Sequence, residues 1–322
     1  LFEPIWSSDE TRVFGYCRCG GFTFADAKSG NYRCMVSSLR FVDGEGPLPD
    51  FRWVLSDTHV IVESSLYESV QEQHGVIALI DPTEQSYVDV RTLAGLDSNL
   101  SWCTPRVAPD GEHLWIGCTE EPSFERLSYL VNLRTVVTQT VPGNWEFCAW
   151  SSDSQFALLA HDKTFCDFYF KTPLDYGDSL DADFALIRVA DGDLYALSQT
   201  YVRGPTWDPS GKRIAFLTGD GRALVVLSVA TRTTTRVPLA RTSVGMLWSP
   251  RGDKLAVLAD DGSLWWIRNL ATGDVKQLTP PVPKTINGLL SIWNVRWSPD
   301  GTQLAFVSGT DVYVVSVTKG SK

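Results

Sequence analysis

One motif recurs seven times along the 322 residues, and this limits the folds open to the chain more than any other feature. The clearest copy reads Trp297-Ser298-Pro299-Asp300-Gly301 and runs on into Leu304-Ala305-Phe306-Val307. The others begin at Trp6, Trp53, Val107, Trp150, Trp207 and Trp248, so successive copies are 47, 54, 43, 57, 41 and 49 residues apart. Each interval holds a four-stranded antiparallel sheet with hairpin turns. A unit of that size cannot bury its own apolar faces, so stability requires stacking on its neighbours.

The local chemistry of each copy fits a sheet. A short strand ends at the tryptophan, Pro-Asp-Gly or a variant turns the chain, and an apolar run follows, as in residues 213–217 and 254–258. Asp220-Gly221 and Asp261-Gly262 make second turns, and fourth strands are expected at 234–237 and 275–278. Runs such as 214–217 and 224–229 are apolar on both faces, which only strands packed between neighbouring sheets tolerate. The predicted fold is therefore all-β: a seven-bladed β-propeller of four-stranded antiparallel blades, forming one domain over residues 1–322. The last blade is expected to be three-stranded. Strands near 294–297, 303–308 and 311–317 leave too little chain before Lys322 for a fourth, and residues 1–5 are too few to cross the blade and pair. Together with a start at Leu1, this leads us to expect an upstream strand and an export signal or anchor.

The Trp-Ser-Pro-Asp-Gly motif followed by an apolar run resembles the repeat of the TolB-like propellers, and is similar to the propeller domains of prolyl-oligopeptidase-like enzymes. It differs from the WD40 repeat, in which the Trp-Asp pair ends a later strand; Trp207-Asp208 sits in the first hairpin. Copies two and three are degenerate, with Val54-Leu55-Ser56-Asp57 and Val107-Ala108-Pro109-Asp110, and copy four is one residue short. The resemblance implies a propeller with an interaction role outside the cytoplasm. No Gly-x-Ser-x-Gly elbow and no glycine-rich phosphate loop occurs in the sequence.

Charge and cysteines narrow the setting. A net charge of −10, from 38 acidic and 28 basic residues, argues against a phosphate-binding surface, so nucleic acid is not an expected partner. No apolar run reaches the 18 residues of a membrane span. Seven cysteines lie between Cys17 and Cys166 without zinc-ligand spacing, which favours disulfides and a periplasmic, cell-surface or secreted location. With the third hairpin turning between Asp110 and Gly111, Cys103 and Cys118 fall opposite each other and are expected to pair. Cys148 and Cys166 are the second candidate pair.

Most residues that suggest chemistry have a structural explanation. Asp9, Asp110, Asp153 and Asp300 recur as turn caps, with Ser210 and Arg251 in the same place elsewhere. The repeat tryptophans read as core and inter-blade packing. His59, His74, His113 and His161 stand too far apart in sequence for a local metal motif. Asp175, Asp178, Asp181 and Asp183 supply four hard oxygen ligands in nine residues, a calcium candidate without EF-hand offsets. Loop length is the informative asymmetry: segments 63–74, 119–126 and 161–182 in blades two, three and four raise a wall on one face. Tyr67, Phe124, Phe165, Phe168, Tyr169, Phe170 and Tyr176 are its candidate binding residues. The expected function is non-catalytic binding or scaffolding of a protein, peptide or glycan partner on that wall. The competing expectation is a metal- or carboxylate-dependent hydrolase or lyase with its site at the mouth of the central channel.

Overall fold

The computed structural model describes residues 4–17, 21–35, 51–62, 77–97, 99–161, 184–197, 202–270, 274–279, 292–308 and 311–317. Among them are seven antiparallel sheets, six of four strands and one of three, each in simple sequence order. This is the blade content of a seven-bladed β-propeller, and the three-stranded sheet is the last, as expected. The chain divides into two compact units, residues 1–147 and 148–322.

The first unit holds three sheets. The first comprises Ile5–Trp6, Arg12–Cys17, Gly21–Asp26 and Tyr32–Met35, and the second Phe51–Val54, His59–Val62, Ala78–Asp81 and Ser86–Asp89. The third comprises Leu100–Val107, His113–Glu120, Glu125–Asn132 and Val137–Val141. Its core lies between sheets: Phe14 and Phe22 pack on Trp53 and Val60, while Ile61 and Leu79 join Leu114, Ile116 and Val131. Between the second and third sheets a one-turn helix, Val90–Leu93, is capped by Asp89, whose carboxylate accepts the Arg91 N–H at 3.0 Å.

The second unit repeats the plan. Leu158, Leu186, Phe216 and Leu227 fill the space between the fourth and fifth sheets, and Leu217, Leu224, Trp248 and Val257 that between the fifth and sixth. Strands such as Ala223–Ser228 and Leu255–Ala259 are buried along both faces, as their uninterrupted apolar runs require. In the last sheet Asp311–Ser316 is the outer strand among the described residues, with Val312, Tyr313 and Val314 at 70%, 47% and 59% exposure.

The motif turns are built as anticipated. Ser7, Ser151 and Ser298 each donate their hydroxyl to the aspartate two residues on, at 2.6, 2.7 and 2.6 Å. The next backbone N–H groups, from Thr11, Gln155 and Thr302, then point at those carboxylates at 3.1, 3.1 and 3.0 Å. In the fifth copy the two side chains are exchanged. Asp208 takes the serine position, buried, and Ser210 donates to it at 2.8 Å. The Trp207-Asp208 pair is thus a variant of the same turn. Gly111 closes its turn at φ 67°, where an added Cβ would lie 3.3 Å from the Val54 Cα of the sheet before.

Trp53, Trp207, Trp248 and Trp297 pack between sheets. Trp53, Trp248 and Trp297 donate their indole N–H to Ile5, Thr206 and Leu247 carbonyls of the preceding sheet at 3.4, 3.2 and 3.1 Å. Trp6 departs from the expected packing and is 56% exposed.

Candidate functional site: a braced hairpin tip

Of the predicted binding residues, Tyr67, Phe165, Phe168, Tyr169, Phe170 and Tyr176 lie outside the described residues, as do the calcium candidates Asp175, Asp178, Asp181 and Asp183. Phe124 is described, and its surroundings define the site.

The expectation of a long loop over 119–126 is corrected. The two strands themselves continue, and only four residues, Glu121 to Phe124, connect His113–Glu120 to Glu125–Asn132. Each strand has eight residues, against six for Arg213–Thr218 and Ala223–Ser228 in the fifth sheet, counted from the same motif turn. Two further residues at about 3.4 Å each carry the tip about 7 Å farther than its counterpart. The wall in this blade is an extended hairpin.

Phe124 sits at the end of that hairpin, 73% exposed and in left-handed backbone conformation with φ 56°. Its N–H donates to the Glu120 carbonyl at 2.7 Å and closes the turn. Left-handed geometry disfavours a Cβ by roughly 1–2 kcal/mol, and glycine or asparagine ordinarily fills such a position. Val136 has the same geometry, φ 57°, at the opposite end of the same sheet.

Three glutamates cluster beside Phe124. Glu120 and Glu125 are direct cross-strand partners, and Glu121 follows Glu120 in the turn. Like charges facing each other across a ladder destabilise it. The Glu120 carboxylate is held by Asn99 Nδ2 and Ser123 Oγ, both at 3.1 Å. Arg126, the neighbouring cation, is paired with Glu146. Burial raises the Tyr129 phenol above its ordinary range, and Asp97 and Glu120 push it further in the same direction.

The tip is braced from below. Cys103 and Cys118 form the expected disulfide between the first two strands, with both residues buried. The ladder shifts register between Gly117 and Thr119, next to the bridge. Glu121 N–H donates to the Asn99 carbonyl at 3.1 Å, and Ser101 Oγ to the Thr119 carbonyl at 3.3 Å. The first strand is thereby tied to the tip end of the hairpin that presents Phe124. Cys148 is also disulfide-bonded; its expected partner, Cys166, lies outside the described residues.

The histidines serve local contacts. His113 Nδ1 lies 2.7 Å from the Asp110 carboxylate, and Asn132 Nδ2 lies 3.0 Å from His113 Nε2. Burial raises the Asp110 carboxyl, but hydrogen bonds from the His113 side chain and the Glu112 and His113 N–H groups outweigh it and leave the group below its ordinary range. His59 approaches Thr58 Oγ1 at 2.8 Å and Asp81 at 3.8 Å, and His74 lies outside the described residues. Among the described residues, no group of three or more His, Cys, Asp and Glu could hold a metal ion. An open cleft of about 580 Å³ beside Trp6 includes Ser8, Glu10 and Lys28.

Residues 188–322 match the family model described as the lipoprotein LpqB beta-propeller domain. The chain is a β-propeller. No curated protein matches it by sequence. Among solved structures, it is similar to an oligogalacturonate lyase in complex with manganese, at 12% identity and TM-score 0.48, over 98% of this chain and 89% of that one. It is also similar to the C-terminal WD40 domain of Sif2, at 12% identity and TM-score 0.48, over 99% and 81%. An oligogalacturonate lyase from Vibrio parahaemolyticus gives 11% identity and TM-score 0.47, over 99% and 89%. Likeness at this level carries none of those proteins' chemistry to this propeller. Among the described residues, no helix is long and apolar enough to cross a membrane.

Proposed function

We propose that this chain is a non-catalytic, TolB-like binding propeller, one domain over residues 1–322, which works outside the cytoplasm. It meets a protein, peptide or glycan partner through the loop face of blades two to four. One observation carries the reading: Phe124 is held out at the end of an extended hairpin, in a backbone conformation unfavourable to it, with a disulfide three residues before the turn. A side chain kept there contributes nothing to the core, and a rigid presenter lowers the ordering cost of association. The buried Cys103–Cys118 bridge and the match of residues 188–322 to a lipoprotein propeller support placement in an oxidising compartment.

The test is a photo-crosslinking amino acid, p-benzoylphenylalanine, placed at position 124 or at position 136 in the protein expressed in its native cells. The reading expects a discrete adduct from position 124 and none from position 136, which has the same backbone geometry on the opposite turn. Equal labelling from both positions, or none from 124, would overturn it.

A further inference from the structure

The chemistry of the tip specifies its partner. Resting on the binding role proposed above, we infer that the partner is a protein surface with an apolar socket bordered by lysine or arginine side chains. Phe124 fills the socket, and Glu120, Glu121 and Glu125 meet its cationic rim.

Three independent features converge on this. The first is the anchor: an aromatic ring, 73% exposed at a hairpin end, presents a large apolar area with little rotamer freedom to lose on binding. The second is the cross-strand pairing of Glu120 with Glu125, which places two carboxylates opposite each other beside the ring. In the free protein this juxtaposition is unfavourable, and a cation delivered by a partner relieves it. The third is that the local cation is already engaged. Arg126 pairs with Glu146, and Asn99 and Ser123 hold Glu120 by neutral hydrogen bonds that leave its charge in place. An acidic or strongly anionic surface, including an anionic lipid bilayer, would meet the like charge of Glu120, Glu121 and Glu125 beside Phe124. A basic socket meets opposite charge around an apolar centre, with the charged contacts at the rim and the ring in the desolvated middle.

The probe is a displayed library of random twelve-residue peptides, selected on the intact chain and counter-selected on the Phe124→Gly variant. Circular dichroism and thermal unfolding first establish that this variant is folded. We expect the surviving peptides to combine Lys or Arg with Leu, Ile, Val, Met or aromatic residues. Their affinity should fall at least tenfold on Phe124→Gly. It should fall about three- to tenfold on the double change Glu121→Gln and Glu125→Gln at low salt, and raising the salt should erase this second difference. Survivors of acidic or uncharged composition, an affinity indifferent to the glutamate changes, or no peptide dependent on Phe124 would each overturn the inference. Since the crosslinking experiment does not depend on the partner's charge, an adduct at position 124 alongside acidic survivors would remove the basic socket and leave the binding role standing.

Discussion

Replacing Cys103 and Cys118 together by alanine tests how the hairpin is held. The bridge closes a sequence separation of 15 residues, for which restriction of the unfolded chain stabilises the native state by about 3 kcal/mol at 25 °C. Both cysteines also belong to the core between the second and third sheets, at 2% and 3% exposure, so truncation removes packed sulfur atoms at a further cost of about 1 kcal/mol. The expected loss is about 4 kcal/mol. For a unit of 147 residues, at roughly 2–4 °C per kcal/mol, this lowers Tm by roughly 8–16 °C. Urea and thermal unfolding of wild type and double variant measure it, after non-reducing mass mapping confirms the pairing. Hydrogen exchange adds a local readout, since the amide of Phe124 should lose protection in the variant ahead of those in Leu255–Ala259 of the second unit. A stability change below about 1 kcal/mol, or a mapped bridge between other cysteines, would refute the bracing argument.

Asp9 and Asp300 are each held down to about 2, first by the serine hydroxyl two residues before, then by the threonine side chain and N–H two residues after. Their contribution to the turns is therefore fully present above the ordinary carboxyl range near 3.8 and is lost as pH falls through about 2. Carboxyl carbon NMR should place both midpoints near 2, and Ser7→Ala and Ser298→Ala should each raise its neighbour's; an unmoved midpoint would contradict the assignment. Asp208 is fully buried and accepts from Ser210, the Lys212 and Arg213 N–H groups and the Arg213 guanidinium, whose Nε lies 2.9 Å away. Arg213→Met strands that carboxylate and also removes the guanidinium from the Gly252 carbonyl and the Trp248 ring, so denaturation should show a loss of about 3 kcal/mol or more.

Much of the architecture was legible because its signals are local and repeated. A tryptophan before a tight turn and an apolar run after it specify a hairpin within about a dozen residues, and seven copies specify seven sheets. The disulfide followed from the same hairpin symmetry, since a turn between Asp110 and Gly111 sets positions 103 and 118 opposite each other before any tertiary contact is considered. The aspartate caps were readable for the same reason, and the exchanged Asp208 and Ser210 were not, because a swap of two letters alters the pattern and preserves the hydrogen bonds. Strand length was misread at the third blade. Thr119-Glu120-Glu121-Pro122 has the composition of a loop, yet the ladder runs to the Glu120 and Glu125 pair, supported by the bridge and by Asn99. The acidic collar went unnoticed because its meaning depends on that register: Glu120 and Glu125 are five residues apart in sequence and adjacent only once the strands pair. The exposure of Trp6 was likewise invisible, since the tryptophan before a serine-aspartate turn that it shares with the later copies carries no mark of burial.

The central claim is that Phe124 is kept for binding at the expense of local stability, and a matched pair of glycine substitutions tests it most directly. Phe124 and Val136 have left-handed geometry at φ 56° and 57° on opposite turns of one sheet, so glycine relieves the same strain at both. Urea unfolding and retention of the partner captured at position 124 are measured side by side on Phe124→Gly and Val136→Gly. The account predicts that both variants hold wild-type stability or gain up to about 1 kcal/mol, that Val136→Gly retains the partner, and that Phe124→Gly loses it. Retention of the partner by Phe124→Gly, or its loss from both variants alike, would contradict the claim.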